Sequence, residues 1–111
     1  MQEKFSIQPY LTDILILEET VKQIQKDLAF FSLPVTFTGS KNSAYEELYS
    51  QIEPHIKNLM DKDFSKLLSL LYRIDISEKQ LRTDGDQVKH ITDLIIKRCL
   101  QKVVFRKIYS K

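Results

Sequence analysis

The apolar residues Tyr10, Ile14, Leu17, Val21, Ile24, Leu28 and Phe31 follow one another at intervals of 4, 3, 4, 3, 4 and 3. That alternation keeps a single stripe on one face of an α-helix. It predicts a first helix that opens at Pro9, where a missing N–H does no harm, and closes at Leu33, which Pro34 pushes out of helical geometry. From Leu33 to Asn42 the helical period is lost. Val35 and Phe37 alternate with threonines there, so part of the stretch is expected to run extended across the helices. A second stripe, Tyr45, Leu48, Ile52, Ile56 and Leu59, follows Ser43-Ala44-Tyr45-Glu46, a sequence suited to a capping box. Pro54 lies inside that stripe and predicts a kink, because its ring meets the carbonyl of Ser50.

A third helix is expected to start between Asp61 and Asp63 and to carry Phe64, Leu67, Leu68, Leu71 and Ile74. Ser77-Glu78-Lys79-Gln80 can form another capping box, which allows a break near Ile76 with a restart. One continuous helix to Leu81 fits the same residues. Thr83-Asp84-Gly85-Asp86 is a breaker, with Asp84 or Asp86 able to cap a last helix from about Gln87 to about Ile108. Four helices joined by short turns predict an all-α fold, an antiparallel four-helix bundle, with room for a short extra helix before the last. The chain reads as a single helical domain over residues 1–111.

The last helix has more apolar residues than one stripe uses. Val88, Ile91, Ile95, Cys99 and Val103 share one face, whereas Leu94, Phe105 and Ile108 project from the far side, at about 240°, 260° and 200° from Val88. Either the helix stops before Phe105 and the tail folds back on the bundle, or Leu94, Phe105 and Ile108 contact a second copy of the chain.

Composition agrees with few, long elements: 42% of residues are hydrophobic, and only two glycines and three prolines supply tight turns. Charge changes the picture more. Residues 1–55 carry a balance of −4 and residues 56–111 a balance of +6, and from Leu94 to Lys111 six basic residues occur with no acid. Lys97, Arg98, Lys102, Arg106 and Lys107 on the last helix are therefore candidate contacts for nucleic acid or another anion. A pI of about 8.6 and the lack of any helix-turn-helix or RNA-binding aromatic motif argue against a dedicated nucleic-acid binder. No apolar run approaches the roughly 20 residues of a membrane span, no secretory leader is visible, and a lone cysteine excludes an intrachain disulfide. The expected setting is the cytoplasm.

Catalytic and metal chemistry find no foothold. Cys99 falls on the core stripe, where a thiol is an inert small hydrophobe. Neither His55 nor His90 follows a glutamate by three residues, the spacing of helical di-metal sites. Asp86, His90 and Asp93 approach one helical face, an arrangement that ordinary capping and solvated side chains explain. Gly39-Ser40-Lys41 lacks the rest of a phosphate loop. The segment Leu71 to Glu78 (LYRIDISE) resembles a segment of small uncharacterised all-helical bacterial proteins, a resemblance of about eight residues that implies no activity. Within it, a surface ion-pair patch of Arg73 with Asp75 or Glu78 is one reading, with Tyr72 of the type that anchors interfaces, and a helix terminus with ordinary capping is the favoured one. The reading is a non-enzyme with no cofactor and no catalytic or metal residue: a helical interaction module that associates with itself or another protein. The alternative is a nucleic-acid binder using the basic last helix.

Overall fold

A computed structural model describes residues 13–81 and 85–109. Four α-helices, α1 (Ile14–Ala29), α2 (Ala44–Lys62), α3 (Phe64–Ile74) and α4 (Gln87–Tyr109), account with two short 3-10 turns for about four-fifths of those residues. There is no β-strand among them. Pro9 and Tyr10 lie outside the described residues. Within them α1 opens on Asp13, whose carboxylate accepts hydrogen bonds from the N–H groups of Leu15 and Ile16 at 3.0 and 3.3 Å. The helix ends at Ala29, earlier than Pro34 alone would dictate. Ser32 takes a left-handed conformation (φ 63°), and the Leu33 N–H returns to the Leu28 carbonyl at 3.0 Å, closing a Schellman-type cap that seats Leu33 in the core.

The stretch after Pro34 is extended, and its fastening to α2 follows from two repeat lengths. Two residues of extended chain rise about 6.6 Å, and four residues of helix about 6.0 Å. Pro34, Thr36 and Thr38 therefore keep step with His55, Gln51 and Glu47 on α2. His55 Nε2 donates to the Pro34 carbonyl at 2.9 Å, Gln51 brackets the backbone of Thr36 at 2.8 and 2.7 Å, and Glu47 accepts from the Thr38 N–H at 2.8 Å. The alternate residues Leu33 and Val35 turn into the core, with Phe37 packed against it.

Two capping expectations divide. Ser43 makes no side-chain cap to α2; a 3-10 turn, Lys41–Ser43, comes first, and the Ser43 hydroxyl goes to Ser40 instead. The Ser77 box does form, but it closes only the 3-10 turn Glu78–Gln80. The third helix breaks at Asp75, left-handed at φ 76°, with the Ile76 N–H returning to Leu71. Pro54 is accommodated inside one continuous α2. Asp63 is the whole connection between α2 and α3, and it caps α3 through the Lys66 N–H at 3.1 Å.

α4 packs most extensively, against α1 and α2. Its ion pairs with α1 run Lys102 to Asp27 and Lys107 to Glu19, so the two helices are antiparallel. Ile91, Thr92, Ile95, Ile96, Cys99, Leu100, Val103 and Val104 are all buried. They cover an arc of about 220° at 100° per residue. That is why one stripe could not hold its apolar residues: α4 is the central helix, and Ile96, Leu100 and Val104 meet neighbours on a second side. The buried hydroxyls of Thr20 and Thr92 donate to carbonyls one turn back, Ile16 and Val88, each at 2.8 Å. No described helix is long and apolar enough to cross a membrane.

Candidate functional site

The basic end of α4 is largely committed within the bundle. Lys97 pairs with Asp93 at 2.8 Å, Arg98 with Asp75 at 2.8 Å, Lys102 with Asp27 at 3.4 Å and Lys107 with Glu19 at 2.8 Å. Arg106 donates to the Gln23 side-chain carbonyl at 3.2 Å. The Lys107 hydrogen bond, with the charges of Lys107, Arg106 and Lys22, holds the Glu19 carboxyl below its ordinary range. Two of these pairs, Lys102–Asp27 and Lys107–Glu19, join the basic second half of the chain to the acidic first half.

Asp27 is the centre of a polar cluster that the sequence does not advertise. It lies on the buried side of α1 at 3% exposure. Arg73 Nε of α3 reaches it at 3.2 Å, Gln23 Nε2 donates to it at 3.0 Å, and the Cys99 thiol of α4 points to it from 3.9 Å. With Lys102 these contacts join three helices through one carboxylate. Arg73 therefore does not pair with Asp75 or Glu78. The Ile74–Asp75 cap turns Asp75 toward Arg98, and Arg73 lies across α1, its guanidinium 4.4 Å from the Phe30 ring centroid.

Cys99 is buried, and burial first, then the neighbouring Asp27 charge, push its thiol up to about 12. A thiol that loses its proton at about 12 in the folded chain but near 9 when unfolded makes the unfolded state bind fewer protons between those values. Stability should accordingly fall as pH rises above about 9. At neutral pH a thiol reagent should modify Cys99 only at the rate of unfolding. Labelling followed by mass spectrometry across a denaturant series checks this, and rapid modification in buffer alone would contradict it.

The remaining candidates are structural in their contacts. His90 Nε2 donates to the Gln80 carbonyl at 2.8 Å, Asp86 accepts from the Lys89 N–H at 3.2 Å, and Asp93 accepts from the Tyr45 hydroxyl. Burial and that hydrogen bond raise the Tyr45 phenol. Among the described residues no group of three or more His, Cys, Asp or Glu side chains is placed to hold a metal.

Of the self-association candidates, Leu94 is half-buried against the core, whereas Phe105 and Ile108 are 42% and 53% exposed on a helix that continues to Tyr109. Sequence reasoning singled out Tyr72 but missed the groove it lines. Phe30 and Phe31, at the end of α1, face Ser65, Leu68, Ser69 and Tyr72 of α3 across a groove of about 640 Å³, with Arg73 beside them. Tyr72 is 88% and Phe30 67% exposed. The signal that could have found it is the α3 sequence, FSKLLSLLYRI, whose outward ridge of Ser65, Leu68, Ser69 and Tyr72 contains no charge. Comparisons with protein-family models, with curated proteins and with solved structures find no match.

Proposed function

We propose that this chain is a non-catalytic helical interaction module that associates with a second copy of itself through the bundle end at which Phe105 and Ile108 emerge. One observation carries the reading: large exposed apolar side chains gather at that end. Because α1 and α4 are antiparallel, the start of α1 lies beside the end of α4, within about a turn of the Lys107–Glu19 pair. Ile14 and Leu15 of α1 are 40% and 63% exposed, and Tyr109 of α4 81%. Exposed apolar side chains at one end of a bundle, with Arg106 and Lys107 beside Phe105 and Ile108 on α4, are the usual make-up of an association surface. Leu94 lies about 16 Å back along α4 and belongs to the core, so the contact is drawn without it. The pairing of Lys97, Arg98, Lys102 and Lys107 with carboxylates favours this reading over nucleic-acid binding through α4, since a phosphate would have to displace each partner. The buried lone thiol suits a cytoplasmic setting.

Sedimentation equilibrium on the wild type and on Phe105→Asp tests the proposal. The wild type is expected to be a dimer and the variant a monomer with an unchanged far-ultraviolet dichroism spectrum. A wild type that stays monomeric at high concentration refutes self-association. Unfolding of Phe105→Asp would assign Phe105 to the bundle's own support and remove the interface.

A further inference from the structure

The exposed face of α1 joins two features that share only Arg106 with the rim of the self-association surface. Lys22, Lys26 and Phe30 follow one another at four-residue spacing, and all three are exposed. Lys22 and Lys26 line a channel of about 200 Å³ between α1 and α4, with Gln23, Arg106 and Glu19 as its other walls. The only acid there, Glu19, is already held by Lys107. Gln23 fixes Arg106 by accepting its hydrogen bond while donating to Asp27. Lys22, Lys26 and Arg106 thus outnumber the one acid lining the channel, whose close ion pair is with Lys107. One turn beyond Lys26, Phe30 lines the aromatic groove together with Leu68 and Tyr72.

We infer that this surface docks an acidic amphipathic segment of a partner protein. A bulky apolar side chain of the partner enters the groove between Phe30 and Tyr72, and carboxylates meet Lys26, Lys22 and Arg106. Lys26 lies about 6 Å and Lys22 about 12 Å from Phe30 along the helix axis. A helical ligand running along α1 satisfies both with acids one and two turns from its apolar anchor. The uncharged ridge of Ser65, Leu68 and Ser69 lets such a helix approach α3 closely, and Tyr72 supplies the aromatic anchor typical of binding hot spots. Charge complementarity decides the sign of the partner. The Arg73 guanidinium occupies one face of the Phe30 ring, and Phe31 and Leu68 make the groove apolar; both favour an aliphatic or aromatic side chain over a stacked nucleobase.

The test uses the full chain and a synthetic helical peptide with one tryptophan and glutamates four and eight positions after it. A second peptide carries lysines in place of those glutamates, and a short single-stranded oligonucleotide is the third probe. Calorimetric titration should give saturable binding of the glutamate peptide only. Tyr72→Ala, at a residue too exposed to support the fold, and the pair Lys22→Glu with Lys26→Glu should each weaken it about tenfold or more, and Phe105→Asp should leave it unchanged. Absence of binding, equal binding of the lysine peptide, insensitivity to the α1 charge reversal, or tighter binding of the oligonucleotide on the same residues would each overturn the inference. Loss of dimerisation in Phe105→Asp reports on self-association alone, so the two proposals fail separately.

Discussion

Asp27→Ala is expected to destabilise the fold by about 3–5 kcal/mol, the largest effect of any polar substitution in the chain. The loss arises less from the missing hydrogen bonds than from what remains. Lys102, its side chain 19% exposed, and Arg73, 31% exposed, are left facing one another with no carboxylate between them. Both retain some access to water, which places the expectation toward the lower end of the range. Against a typical domain stability of about 5–15 kcal/mol this is a large fraction. Denaturant melts of Asp27→Ala and of Asp27→Leu with Lys102→Met provide the check. The double variant removes the carboxylate and one of the stranded cations together, and should recover part of the loss. A single variant within about 0.5 kcal/mol of wild type would show that the cluster is solvated and contributes little.

Ile24→Ala and Leu17→Ala should each lower stability by about 2–5 kcal/mol, because both side chains are fully buried and the packed neighbours can relax only in part. Lys22→Ala, on the exposed face of the same helix, should stay within about 0.5 kcal/mol. Gln23 is not an equivalent control, although the helical stripe alone would treat it as one. It donates to Asp27 and accepts from Arg106, so Gln23→Ala is expected to cost about 1 kcal/mol. Chemical denaturation of the four variants, read at equal slope, distinguishes these cases.

The helical architecture could be read directly from residue spacing. Apolar positions at 3.6-residue period report which face a helix buries whatever it is buried against, so Leu17, Val21, Ile24 and Leu28, or Leu48, Ile52, Ile56 and Leu59, are found in the core as their stripes require. Alternation of Val35 and Phe37 with threonines likewise marked an extended segment, because strand period is as local as helix period. Helix ends were less legible. Left-handed caps at Ser32 and Asp75 stop α1 and α3, and neither residue is the glycine that signals such a cap.

The polar chemistry required the fold. Nothing local distinguishes Asp27 from a solvated helix carboxylate, since its partners Arg73 and Lys102 lie 46 and 75 residues away and reach it only when α3 and α4 pack on α1. The same packing gives Lys102 and Lys107 of α4 their acids on antiparallel α1, so part of the charge imbalance between the halves of the chain becomes pairs between helices. It also makes α4 central, so that apolar residues on two sides are core over most of its length, whereas Phe105, Ile108 and Tyr109 at its end are exposed. Periodicity along a chain encodes which residues turn inward. Which charges meet, and which apolar residues remain uncovered, depends on distances between segments that no local pattern contains.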